Sequence, residues 1–220
     1  MNNKPDLLLC LPAGNTAIRT YEILRQMKES GVIDFSRAHF VQLDEWLDLD
    51  NTEENCAAFV DRYFYSPLQI RQDQIYAFDI HAENLEEECK RIDRLISDLG
   101  GIDLMLLGIG MNGHIALNEP NQPFDSGTKI VELSDTTKTV GQKYFSAGAR
   151  LTRGMTLGMR QVFDAGTVIL QAGGKEKAKI MAEMYASQPS TKIPATVMFH
   201  LKKGIVIMDK EAASLIKERD

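Results

Sequence analysis

The chain alternates short, wholly apolar runs with amphipathic segments of helical period, and this rhythm narrows the folds open to it more than any single motif. The run 6-DLLLCL-11 precedes 17-AIRTYEILRQMKESG-31, and 38-AHFVQL-43 precedes 52-TEENCAAFVDRYFYSPL-68. Next, 83-ENLEEECKRIDRLISDLG-100 leads into 102-IDLMLL-107, and 167-TVILQA-172 is followed by 175-KEKAKIMAEMYA-186. Strands that are apolar on both faces and separated by helices predict an α/β fold: a mainly parallel, doubly wound, Rossmann-like sheet with helices on both faces. Gly31 and Gly100 stand where helices should end, and Thr16, Thr52 and Asn84 where helices should begin. No internal repeat or linker interrupts the 220 residues, so one domain is expected over 1–220.

Charge and hydropathy remove several classes of function. The net charge is −6 and no Lys/Arg-rich run offsets it, which argues against nucleic acid as a ligand. No apolar stretch approaches the roughly 18 to 20 residues of a membrane span, and the apolar part of MNNKPDLLLCLPAG is too short for a signal peptide. A cytoplasmic location without a membrane partner is the expectation. Cys10, Cys56 and Cys89 are widely spaced and form no CxxC pair, so packing is their expected role rather than a disulfide or a zinc site.

In an open parallel sheet the ligand site gathers at the carboxyl ends of the strands, which directs attention to the loops after residues 11, 43, 107 and 172. The third, 108-GIGMNGHIALNEP-120, contains G-x-G-x-x-G after an apolar run. A dinucleotide loop must open a helix there, but Pro120 and Pro123 interrupt any helix, so that reading fails. What remains is a glycine-hinged loop that presents Asn112, His114 and Glu119 within eight residues. An imidazole oriented by a carboxylate is equipped for proton transfer near neutral pH. His39, His81 and His200 have no such company. In 43-LDEWLDL-49, Asp44 and Glu45 close the second apolar run, where a carboxylate can act as a base beside a substrate; Trp46 reads as core, with a wall of such a pocket as the alternative.

The first loop, 11-LPAGNT-16, leads from a strand into a helix, so the backbone of Ala13, Gly14, Asn15 and Thr16 with the helix dipole behind it suits an anion. The last, 173-GGKEK-177, again opens a helix and adds Lys175 and Lys177. Two glycine-containing helix starts, one with lysines, point to a phosphorylated small molecule.

These pieces resemble the glucosamine-6-phosphate deaminase and galactosamine-6-phosphate isomerase group, whose wider superfamily includes 6-phosphogluconolactonase. LPAGNT at 11–16, LDEW at 43–46, GIGMNGHIALNEP at 108–120, TRGMTLG at 152–158 and GGKEKA at 173–178 follow the group's order and spacing across nearly the whole chain. The ending Asn118-Glu119-Pro120 separates it from the lactonases, while LDEW, Asn112, TRGMTLG and 190-STKIPA-195 look closer to the galactosamine-6-phosphate branch. The resemblance implies that Asp44 moves a proton between C2 and C1 of an opened amino sugar, and that His114, oriented by Glu119, assists ring opening. It implies that 13–16, Lys177 and Lys143, which falls where some relatives carry an arginine, hold the 6-phosphate, and that no metal, nucleotide or redox cofactor is required. Galactosamine 6-phosphate to tagatose 6-phosphate plus ammonia is the leading expectation. Glucosamine 6-phosphate to fructose 6-phosphate, lactone hydrolysis and a non-catalytic sugar-phosphate-binding domain are the alternatives.

Two departures from the group matter. Some members carry aspartate at the position of Asn112, and an amide can accept a hydrogen bond from imidazole but cannot bear charge, which leaves the ring-opening charge to Glu119. Relatives also usually carry a strand and helix ahead of the LPAGNT loop, and the hexameric deaminases a longer C-terminal tail. If the missing strand belongs to the sheet, an edge is exposed, and the shorter chain leaves assembly, including a homo-oligomer, open.

Overall fold

The structure, a computed structural model, describes residues 4–217. At the centre of its larger sheet lies β1 (Leu8–Leu11). The chain winds outward from it through β2 (His39–Gln42) and β4 (Ile75–Tyr76), then returns to the other side as β5 (Leu104–Leu107), β8 (Thr167–Ala172) and β9 (Gly204–Met208). The order β4-β2-β1-β5-β8-β9 is parallel at every pairing. Apolar residues at successive strand positions require cover on both faces, and helices supply it. On one face α1 (Asn15–Glu29) buries Ala17 and Tyr21 against Leu9, Leu11, Phe40 and Leu106. On the other, α4 (Leu85–Asp98), α6 (Met159–Asp164) and α7 (Ala178–Ala186) close over Leu8, Cys10, Met105 and Leu170.

The local signals explain where these helices start and stop. Asn84 caps α4 by accepting the N–H groups of Glu86 and Glu87, and Cys89, Ile92 and Ile96 return to the core face at helical spacing. Gly31 and Gly100 follow the ends of α1 and α4 with φ of 73° and 83°, the left-handed turn that favours glycine. Cys10, Cys56 and Cys89 are buried and free. No helix among the described residues is long and apolar enough to cross a membrane.

Two expectations are corrected. The segment 52–68 is not one helix beginning near Thr52: α2 (Cys56–Val60) starts after Asn55, whose side chain accepts from Ala58 N, a π turn follows over Asp61–Tyr65, and α3 (Ser66–Leu68) ends it. The stretch after residue 43 is not a loop either. Asp44–Trp46 form β3, which joins β7 (Arg153–Thr156) and β6 (Lys129–Glu132) in a separate antiparallel sheet. Three- and four-residue strands carry too little sequence to show a period, and Asp44 finds its partner Thr156 only in β7, four strands later. On the edge strand β9, Ile205 and Ile207 are exposed.

Candidate active site

Between β1 and β5 the chain leaves in opposite directions, and the loops at the carboxyl ends of the two strands part to make a crevice. A cavity of about 180 Å³ opens there. It is lined by 12–17 after β1, by Leu43 and Asp44 after β2, by 107–111 with His114 after β5, and by Glu176 and Lys177 after β8. The four loops singled out in the sequence therefore share one space. Further wall comes from Trp46, Cys56 and Phe59, and from α5 (Asp135–Gly141) and the turn Gln142–Tyr144, which contribute Thr137, Lys143 and Tyr144.

The adjacent acids of LDEW have different surroundings. Glu45 is buried and faces away from the cavity, accepting the backbone N–H groups of Trp46 (2.8 Å), Cys56 (2.9 Å) and Ala57 (2.9 Å) together with the Gln42 amide (2.8 Å). It anchors the first turn of α2. Asp44 lines the cavity, and its side chain has the Cys56 thiol as a donor. Burial and then the neighbouring Glu45 charge push its carboxyl up to about 7, against a smaller lowering by that thiol. A carboxyl that changes charge near neutrality suits a general base.

His114 also lines the cavity, whereas Asn112 and Glu119 stand behind it. The ring lies flat over Gly110, where a Cβ would meet ring atoms at 2.3 to 2.5 Å, so only glycine leaves the slot open. Its Nδ1 is 3.2 Å from Thr137 Oγ1 and 3.7 Å from Glu119 Oε2. The hydrogen bond from ring to amide considered for Asn112 is not made. Asn112 Oδ1 accepts the His114 backbone N–H (3.2 Å), and its Nδ2 donates to Glu119 Oε2 (2.8 Å) and Ser134 Oγ (3.0 Å). Burial pushes the Glu119 carboxyl up, but the neighbouring His114 ring and Thr137 hydroxyl, the His114 charge and the Ser134 N–H outweigh it and hold it at about 2. A carboxylate so fixed stays ionised at neutral pH and can stabilise an imidazolium.

Cationic groups and a helix start also face the cavity. No side chain caps α1 and no acid stands in its first turn, so the helix dipole behind 13–16 is left for an incoming anion. Tyr21 ties the preceding loop down by donating to Pro12 O at 2.6 Å. Lys177 is buried and donates to Ile109 O at 2.7 Å; burial, then Lys143, lowers its pKa. Lys143 reaches the same cavity from the turn after α5, with its Nζ 3.9 Å from Glu176 Oε1. Among the described residues no group of three or more His, Cys, Asp and Glu side chains is placed to hold a metal ion. Sequence reasoning passed over Ser134 and Thr137, although a Ser-Asp pair ahead of 136–141 is a helix-start signature that could have placed both at the head of α5. It also passed over Tyr144 and Cys56, which carry no local signal.

The family model described as glucosamine-6-phosphate isomerases/6-phosphogluconolactonase matches residues 1–208. The chain belongs to that family. Within it, a glucosamine-6-phosphate deaminase of Bacillus pumilus (strain SAFR-032) is 36% identical over 215 residues, covering 97% of this chain and 89% of the relative. A glucosamine-6-phosphate deaminase of Thermoanaerobacter sp. (strain X514) is 35% identical over 222 residues, covering 100% and 88%. Among solved structures, one described as a monomeric glucosamine-6-phosphate deaminase superposes with a TM-score of 0.89 at 30% identity, over 97% of this chain and 89% of the other. The 6-phosphogluconolactonase of Thermotoga maritima, at 22% identity and a TM-score of 0.70 over 94% and 85%, shares the fold.

Proposed function

We propose that the protein isomerises and deaminates a hexosamine 6-phosphate, with glucosamine 6-phosphate as substrate and fructose 6-phosphate and ammonia as products. The observation that carries this reading is one cavity with the Asp44 carboxylate and the His114 ring on its walls together with the helix start at 13–16 and the cationic groups of Lys143 and Lys177. The phosphate docks at these cationic groups and fixes the sugar's direction. His114, backed by Glu119, exchanges a proton with the ring oxygen and opens the pyranose. Asp44 then takes the C2 proton and returns it to C1, which converts the 2-amino aldose to a 2-imino ketose. Water adds to the imine carbon and ammonia leaves, so the ketose phosphate retains every other atom.

Glucosamine 6-phosphate takes precedence over galactosamine 6-phosphate because relatives at 35–36% identity are named for it. The galactosamine preference expected from LDEW and TRGMTLG is not distinguished by these relatives. Ammonia release from each sugar phosphate decides both points: turnover of glucosamine 6-phosphate by the larger kcat/KM supports the reading, the reverse ranking moves it to the C4 epimer, and no ammonia from either removes it. Lys177→Met should raise KM about 10- to 100-fold with a smaller change in kcat, since one charge-assisted hydrogen bond is worth about 1.5–3 kcal/mol. An unchanged KM would place the phosphate elsewhere.

A further inference from the structure

Counting donors and acceptors behind His114 assigns a role to a side chain outside the acid–base set. Ser134 Oγ receives Asn112 Nδ2 at 3.0 Å and the Thr137 N–H at 3.2 Å, so both its lone pairs are occupied and its own hydrogen goes to Thr137 Oγ1, 3.0 Å away. Thr137 Oγ1 then has one lone pair and one hydrogen left. His114 Nδ1 is 3.2 Å from it, within hydrogen-bond range, whereas Glu119 Oε2 lies 3.7 Å from the same nitrogen, outside it. Glu119 takes Ser134 N–H on Oε1 and Asn112 Nδ2 on Oε2. The Glu119 carboxylate, 3.7 Å from His114 Nδ1, favours a proton there, so Thr137 accepts the Nδ1–H of His114.

We propose that Thr137 is a positioning residue that accepts from His114 through its hydroxyl and, with the Glu119 carboxylate beside Nδ1, holds the neutral ring as the Nδ1–H tautomer, with Nε2 bare for proton transfer. This rests on the ring-opening role given to His114 above. Thr137 is buried in the first turn of α5, and the same short segment runs through Gly141 into the turn that carries Lys143 and Tyr144. An anion held by Lys143 restrains the element that sets the tautomer, so the cationic groups of the cavity and the imidazole are tied by about six residues of chain.

The test uses the intact protein with 15N-labelled histidine at pH 8.5, with His114→Gln identifying the His114 resonances. The wild type should show Nδ1 protonated and Nε2 unprotonated. Thr137→Ser should keep that pattern and stay within about threefold of wild-type kcat. Thr137→Val should shift the ring toward the other tautomer and lower kcat about 10- to 100-fold with KM within about threefold. A wild-type ring protonated on Nε2 overturns the proposal without any variant, and a Thr137→Val ring that keeps the wild-type tautomer overturns it as well. The tautomer is read whether or not a sugar phosphate turns over, which separates failure of this inference from failure of the assigned activity.

Discussion

Asp44→Asn should lower kcat by roughly 10³-fold while sugar-phosphate binding stays within about tenfold, because the amide keeps the shape of the carboxylate and removes only the base. The acid limb of kcat/KM in the wild type should fall near pH 7, where the Asp44 carboxyl loses its proton in the free protein. The same shift makes a prediction about stability with a definite sign. The folded-state pKa, about 7, lies above the ordinary 3.8, so the native protein holds this proton more tightly than the unfolded chain does. Stability from the protonated form is complete below about pH 4, declines as pH rises through 7, and above that leaves an ionised carboxylate that the site disfavours. Three pH units set a ceiling of about 4 kcal/mol, and water in the cavity reduces it. Urea melts at pH 8 should therefore show Asp44→Asn more stable than wild type by about 1–3 kcal/mol, with no gain at pH 4. A less stable variant at pH 8, or a loss of binding, would make Asp44 a structural residue.

Much of the fold was open to reading because parallel strands covered on both faces need apolar residues at successive positions. Residues 167–172 form β8 with the bounds the apolar run gives, and Gly31 and Gly100 adopt the turns that their places after amphipathic segments require. The parallel sheet also made the cavity legible, since it puts all strand ends on one edge and so brings Gly14, Asp44, His114 and Lys177 to one space. What stayed hidden depends on contacts between residues far apart in sequence. Asp44 pairs with Thr156 in a sheet whose strands are too short to announce themselves. Asn112 reads as a neighbour of His114, yet its amide nitrogen turns to Glu119, because the two residues that decide its direction, Glu119 and Ser134, are 7 and 22 positions away. Thr137 meets the imidazole across 23 positions. Spacing along a chain fixes which residues share a helix face or a loop, but not which way a side chain turns inside a polar cluster.

Nothing in the dipeptide Asp44-Glu45 says which acid faces the cavity, and that difference yields the second large effect. Glu45 carries four hydrogen bonds, three of them from backbone N–H groups in β3 and the first turn of α2. Burial pushes its carboxyl up, yet those donors pull the other way, so its free energy is invested in holding α2 against β3. Glu45→Ala would strand these donors in a site only 1% exposed. At about 1–3 kcal/mol for each buried donor left unmatched, the loss is several kcal/mol, a large part of the roughly 5–15 kcal/mol that holds a domain folded. Glu45→Gln keeps one acceptor oxygen but turns an NH₂ group toward N–H donors, and should recover less than half of that loss. Chemical denaturation of both variants beside Asp44→Asn at pH 8 should give opposite signs at neighbouring positions: a gain in stability with turnover lost at residue 44, and a collapse of stability at residue 45. Equal and small effects at both would mean that the two carboxylates share one solvated environment, and the assignment of base and anchor would fail together.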